Sequence, residues 1–283
     1  MKLLLGSSGQ LGTALAGLLT DFDTPGRGRL DLASLTHDRA REVFSRTNPE
    51  IVINCAAYTA VDLAEEELSR AEAVNGRAVG VLAEVTAESR IPFVTFSTDY
   101  VFDGQGTRPY VESDNTDPVN AYGKTKLVGE QLALEANPNA LVIRASWVIS
   151  NTHPNFVATM LRLASEGREL NVVNDQHGCP TIATDLATGT VAAIDAGATG
   201  LLHVTNQGET TWYDLARAAV GLAGLDPELI SPCSTAEYPT PAKRPAYSVL
   251  GSERREALGV DPLPHWQDSL PGLVDRQMAN QRD

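Results

Sequence analysis

Cysteine is scarce in this 283-residue chain: Cys55, Cys179 and Cys233 are an odd number at wide spacing, with no C-x-x-C pair. That excludes a paired-cysteine zinc motif or dithiol redox motif and suits a reducing compartment, so a cytoplasmic location is expected. Long hydrophobic runs are missing too. The apolar opening, Met1 to Leu5, meets Gly6 at once, too short a run for a secretory signal or a membrane span. Basic residues are the minority sign, with 22 Lys and Arg against 36 Asp and Glu and a formal net charge of −14. A surface of that sign repels nucleic-acid backbones and anionic membranes, leaving small molecules as the expected partners. There is no repeat, no low-complexity tract and no Gly/Ser linker.

What remains is ordinary for a globular protein, 42% hydrophobic and 20% charged, at a length near the upper size of a single core. Short apolar runs at Lys2–Leu5, Ile51–Ala57, Phe93–Ser97 and Leu141–Ser146 read as buried strands. Between them, Thr13–Leu19, Asp38–Arg46, Gly76–Ser89 and Tyr122–Glu135 carry apolar residues at helical spacing. The alternation predicts an α/β fold, a doubly wound parallel sheet of Rossmann type over residues 1–150. Its second strand is faint and is placed at Arg29–Leu32. Residues 151–283 are expected to form mainly a smaller substrate-binding lobe, with some segments returning to the sheet domain. Helices are expected at Phe156–Glu166, Asp185–Ala196, Trp212–Ala223, Glu253–Leu258 and Trp266–Met278, and strands at Leu170–Val173 and Leu201–Thr205.

Gly6-Ser7-Ser8-Gly9-Gln10-Leu11-Gly12 joins the first strand to the first helix, the setting of a phosphate-binding turn. Glycine permits a positive φ and close approach of a pyrophosphate, while the helix start offers free N–H groups. Asp31 follows Gly12 at about the spacing of a ribose-binding acid. Arg27 and Arg29 just before it suit a 2′-phosphate instead, so NADH and NADPH both stay open.

Tyr122 and Lys126 stand four residues apart on one predicted helix face. A neighbouring cation lowers a phenol's pKa from about 10, which would make Tyr122 a proton donor to a carbonyl oxygen. Thr98, at the C-terminal end of the Phe93–Ser97 strand, is the third catalytic candidate, because open α/β sheets bind ligands at that edge.

The glycine turn, Asn54-Cys-Ala-Ala-Tyr-Thr-Ala-Val-Asp62, Ser97-Thr-Asp-Tyr-Val-Phe-Asp-Gly104 and Tyr122-x-x-x-Lys126 together resemble the extended short-chain dehydrogenase/reductases. More narrowly, with Arg144-Ala-Ser-Trp147, Asp175-Gln-His-Gly-Cys-Pro-Thr181 and Arg244-Pro-Ala-Tyr-Ser248, they resemble the dTDP-4-dehydrorhamnose reductase family nearly end to end. The resemblance implies NADPH- or NADH-dependent reduction of the C4 ketone of dTDP-4-dehydro-β-L-rhamnose. It puts Gly9, Gln10 and Leu11 on the cofactor pyrophosphate, with Gly6 and Gly12 shaping the turn, and Asp31 and Leu32 beside the adenosine. Ala57, Tyr58 and Thr59 would line the cofactor, and Tyr122 and Lys126 would touch the nicotinamide ribose. Thr98, Asp99, Trp147 and Arg244 are the implied contacts to the dTDP-sugar.

The chain departs from the family pattern in Leu5 before Gly6 and in the loop Val148–Phe156. Some relatives bind Mg²⁺ between subunits through glutamates, but no ligand set for it is identifiable here, and no metal is assigned. His177 and Cys179 lack a second pair for zinc. A homodimer is compatible with the resemblance. Other readings are a ketoreductase for another dTDP-4-keto-deoxysugar, a related epimerase or dehydratase that retains NAD⁺, and a non-catalytic nucleotide-binding regulatory subunit.

Overall fold

The computed structural model describes residues 1–280. In chain order the sheet domain begins with β1 (Lys2–Leu5), α1 (Gln10–Ala16), β2 (Phe22–Asp23), α2 (His37–Thr47) and β3 (Ile51–Asn54). It continues with α3 (Leu68–Glu72), a π-helical segment at Ala73–Arg77, α4 (Ala78–Ser89), β4 (Phe93–Thr98), α5 (Ala121–Ala136) and β5 (Leu141–Ala145). Then come β6 (Val148–Ile149), α6 (Phe156–Ser165), β7 (Leu170–Val173), β8 (His177–Gly178), β9 (Thr181–Ile182), α7 (Ala183–Asp195) and β10 (Gly200–His203). The chain closes through β11 (Thr210–Thr211), α8 (Trp212–Leu222), β12 (Ile230–Cys233) and α9 (Trp266–Asn280).

Six parallel strands form the main sheet in the order β10-β5-β4-β3-β1-β2. The winding reverses between β1 and β3, the crevice where such folds bind ligands. Alternation along the strands explains the two helix layers. Leu3 and Leu5 of β1 join Val43 and Phe44 of α2 and Leu82 of α4 in one core, whereas Leu4 joins Leu15 of α1 and Leu186 of α7 in the other. Every residue of β3 and β5 is buried, as strands covered on both faces require. Register then sets the site: Asn54 of β3 lies opposite Thr95, so β4 runs three residues further and carries Thr98 beyond the end of β3.

Later segments divide between the sheet and a second layer. β10 pairs with β5, and α7 packs on the sheet through Leu186 and Ala187. By contrast α6, α8 and α9 bury Leu161, Leu215, Trp266 and Leu270 together, with the pairs β6–β9, β7–β12 and β8–β11 beside them. Among the described residues no helix is long and apolar enough to cross a membrane.

Several boundaries shift by a few residues, with α1 at Gln10–Ala16 and not Thr13–Leu19 and β3 ending at Asn54 and not Ala57, and three differences are larger. The second strand is Phe22–Asp23, paired with Lys2 and Leu3, and not Arg29–Leu32. Leu30 and Leu32 are buried as their apolar character demands, but Gly26 carbonyl accepts from both Arg29 N and Leu30 N, which curls this stretch into a turn. The helix expected at Gly76–Ser89 begins earlier, at Leu68, and passes through the π segment. Glu253–Leu258 contributes only a 3₁₀ turn at Glu256–Leu258, ended by Gly259 at φ 67°.

Candidate active site

The glycine turn closes tightly. Gly6 adopts φ 72°, and Gly9 N donates to its carbonyl at 3.0 Å. A Cβ on Gly6 would stand 2.5 Å from Ala56 N across the β1–β3 crevice, so only glycine lets the chain pass there. Helix α1 starts at Gly9 without a side-chain cap, leaving its leading N–H groups for a ligand. The Gln10 carboxamide is already spent: Nε2 donates to Val148 O at 3.2 Å and Oε1 accepts from Ser150 N at 2.9 Å. Gln10 therefore ties the turn to the strand beyond Trp147 through its side chain. Leu11 turns into the core under the sheet.

Asp31 caps the 3₁₀ turn Leu32–Ser34 by accepting from Ala33 N at 3.1 Å, and its side chain is exposed; Leu32 is buried. Arg29 is held bidentately by Asp23 at 2.6 and 2.9 Å, while Arg27 is exposed. Beyond β3, Tyr58 is locked by Asn75, which accepts from Tyr58 N at 2.8 Å and donates to Tyr58 O and to Thr125 Oγ1. Asn75 sits in the π segment, and a Cβ on Gly129 would come within 2.0 Å of its carbonyl oxygen. The wide π turn and the glycine of α5 together let the two helices meet closely enough for this clasp. Ala57 is partly covered and Thr59 exposed in the same stretch.

Asn120 starts α5 by accepting from Gly123 N at 2.8 Å and also donates to Lys243 O at 2.9 Å. Tyr122 follows directly, its ring edge-on to Tyr100 at 5.9 Å. One turn on, Lys126 is 6% exposed, and its Nζ donates to Phe96 O at 2.6 Å. Burial lowers its pKa to about 8, against the opposing charge of Glu130. The expected lowering of the Tyr122 pKa is not found. Burial, and then the charge of Asp99, push the phenol upward, and only the neighbouring Thr98 hydroxyl acts the other way. Desolvation dominates around the phenol, while the Lys126 ammonium is directed at the Phe96 carbonyl.

Thr98 and Asp99 are adjacent and buried, with Thr98 Oγ1 donating to Asp99 Oδ1 at 3.0 Å. Burial raises Asp99 to about 7, against the neighbouring hydroxyls of Ser248 and Thr98. Trp147, at φ 43°, stacks on Trp212 with centroids 3.6 Å apart and forms an apolar wall. Arg244 is not a loose surface cation. Its two terminal nitrogens donate to both Asp62 oxygens at 2.9 Å, joining the C-terminal segment to the loop after β3. Among the described residues no group of three or more His, Cys, Asp or Glu side chains gathers to hold a metal.

Thr98, Asp99, Tyr122 and Lys126 thus meet at the ends of β4 and α5, next to the glycine turn's crevice. Asn75, Trp212 and Ser248 are the additions that motif spacing missed. Ser248 lay inside the Arg244–Ser248 motif, whereas Asn75 and Trp212 carried no local signal. The site fits a reduced nicotinamide dinucleotide: the turn presents backbone donors, and the Lys126 ammonium has one acceptor for three N–H groups, leaving donors for a ribose.

Sheet, glycine turn and Tyr-x-x-x-Lys helix define an extended short-chain dehydrogenase/reductase. Residues 1–279 match the family model described as RmlD substrate binding domain, and the chain belongs to that family, which includes the dTDP-4-dehydrorhamnose reductases. A dTDP-4-dehydrorhamnose reductase of Burkholderia thailandensis is 42% identical, with 99% of this chain and 100% of the relative covered. A probable dTDP-4,6-dihydroxy-2-methyloxan-3-one 4-ketoreductase of Streptomyces antibioticus is 41% identical over 95% of this chain and 92% of the relative. The solved dTDP-4-dehydrorhamnose reductase of Bacillus anthracis, in complex with NADP, superposes with a TM-score of 0.91 at 32% identity, covering 99% and 100% of the two chains.

Proposed function

We propose that this protein reduces the C4 ketone of dTDP-4-dehydro-β-L-rhamnose to dTDP-L-rhamnose with NADPH or NADH. The observation that carries the reading is the convergence of buried Thr98 and Lys126 with half-buried Tyr122 beside the glycine turn, in a family whose members include reductases of that name. The glycine-turn amides, Ala57 and Tyr58 would bind the cofactor, and Lys126 would hold the nicotinamide ribose. A bound reduced nicotinamide supplies a hydride. Tyr122 donates the proton to the C4 oxygen, and Thr98 steadies the charge that develops there. Trp147, backed by Trp212, offers its face to the deoxysugar, with Asp99 beside it. Residues 151–280 furnish most of the covering lobe.

A 4-ketoreductase acting on another dTDP-4-keto-deoxysugar is the second reading, favoured by the similarity to the Streptomyces antibioticus relative. It shares the whole catalytic set and differs only at the sugar wall. A cytoplasmic homodimer belongs to the main reading and is tested by cell fractionation and sedimentation. The deciding experiment follows NADH and NADPH oxidation with the dTDP-4-keto-sugar made in situ and identifies the product. dTDP-L-rhamnose in proportion to cofactor consumed is expected. A different sugar selects the second reading. Product without net cofactor consumption would indicate an epimerase or dehydratase, and no turnover a regulatory subunit.

A further inference from the structure

We propose that Arg27 is the cofactor selector of this chain, binding the adenosine 2′-phosphate and so favouring NADPH over NADH; this deepens the reductase reading above and rests on it. A dinucleotide fold discriminates the two where its second strand leaves the sheet beside the glycine turn. A carboxylate there accepts from the ribose 2′-hydroxyl, whereas an arginine there accommodates the 2′-phosphate.

Strand register locates that point. β2 runs parallel to β1, with Lys2 beside Phe22 and Leu3 beside Asp23. Counted onward, Pro25 falls level with Leu5 and Gly26 with Gly6, where the turn begins. The place of the ribose acid is therefore filled by a residue with no side-chain acceptor, and the Gly26 carbonyl is itself taken by Arg29 N at 2.9 Å and Leu30 N at 3.0 Å. A Cβ on Gly26 or Gly28 would meet nothing within 4 Å. The edge is open on both sides of Arg27.

Neither nearby carboxylate stands in for the missing acid. Asp23 is set back beside Leu3 and clamped by Arg29 at 2.6 and 2.9 Å, which also offsets its repulsion of a phosphate. Asp31 accepts from Ala33 N at 3.1 Å and from Ser34 Oγ at 3.3 Å, so both its oxygens serve the 3₁₀ turn. The position of Arg29 is fixed from below: Arg39 Nε of α2 donates to Arg29 O at 2.8 Å, and Leu30 is buried. With Arg29 folded back on Asp23, Arg27 is the first side chain past the edge. It is exposed and joins none of the ion pairs among the described residues. Its planar guanidinium offers paired N–H donors that match two phosphate oxygens.

Calorimetric titration with 2′,5′-ADP and with 5′-AMP tests the phosphate contact without turnover. 2′,5′-ADP should bind about tenfold or more tightly than 5′-AMP, the scale of a charge-assisted hydrogen bond, and Arg27→Ala should remove the difference. In turnover, wild-type KM should be lower for NADPH than for NADH by a similar factor, and Arg27→Ala should bring the two level. Gly26→Asp puts a carboxylate at the acid's place, where the backbone is not left-handed and a Cβ has room, and should reverse the preference. If that variant does not fold, Arg27→Glu at the exposed neighbouring position is expected to give the same reversal. Equal binding of the two probes by wild type overturns the selector, as does a difference that survives Arg27→Ala or that falls only in Arg29→Ala. Wild-type protein that separates the probes but oxidises no NAD(P)H with the dTDP-4-keto-sugar overturns the reductase reading and leaves the phosphate contact standing. Normal turnover with equal KM for NADPH and NADH overturns the selector alone.

Discussion

Arg144 and Glu130 form a bidentate ion pair at 2.9 and 2.6 Å, with each side chain only 3% exposed. The pair pins α5 to β5, one turn beyond Lys126. Removing one partner leaves the other charge buried without compensation. Glu130→Gln is expected to destabilise the fold by about 3–5 kcal/mol, read from urea unfolding. Replacing both partners with apolar residues, Glu130→Leu with Arg144→Met, should recover most of that loss. A single-variant cost below about 1 kcal/mol would mean the pair is solvated and does not anchor α5.

Tyr122 is held protonated by burial and by Asp99, as a proton donor requires. Tyr122→Phe keeps the ring and its edge-on contact with Tyr100. A fall in kcat of about 10²–10⁴-fold is expected, with NADPH affinity from fluorescence titration within a few-fold of wild type. Turnover close to wild type would remove Tyr122 from the mechanism.

Lys126 is stored in an unfavourable state. Its pKa is lowered from 10.5 to about 8 by burial, so between those values the unfolded chain binds more protons than the folded one. Stability from this group therefore rises with pH across that window, and the charged lysine costs stability at pH 7. Lys126→Met should consequently be more stable than wild type at pH 7, by an amount up to about 3 kcal/mol, while losing activity. Denaturant melts at pH 7 and pH 10 should show that advantage shrinking at the higher pH. An advantage that is constant or grows contradicts the buried cation.

Trp212 backs Trp147 at 3.6 Å and is flanked by Phe156 at 4.6 Å. Trp212→Ala leaves Trp147 without its stacked partner. KM for the dTDP-sugar should rise about two- to tenfold, equivalent to the 0.5–1.5 kcal/mol of an aromatic pair, while KM for NADPH stays near wild type. Equal changes in both constants would show that Trp212 supports the fold at large and not the sugar wall.

Sequence by itself determined the parallel α/β sheet, because strands buried on both faces are short continuous apolar runs and the amphipathic helices between them carry a local periodicity of 3.6 residues. It also located the glycine turn and the Tyr122–Lys126 spacing, since both are short-range features of chain geometry. Only tertiary structure decided what lies opposite what. Phe22–Asp23 is a strand solely because β1 stands beside it, and Asn75 reaches Tyr58 only because a π turn meets Gly129. Arg244 is committed to Asp62, far away in sequence. The protonation of the site was equally hidden: spacing placed a cation one turn from Tyr122, but desolvation and the neighbouring Asp99 fix the phenol's state. Burial and through-space charge are properties of packed elements, and residue spacing along one helix does not contain them.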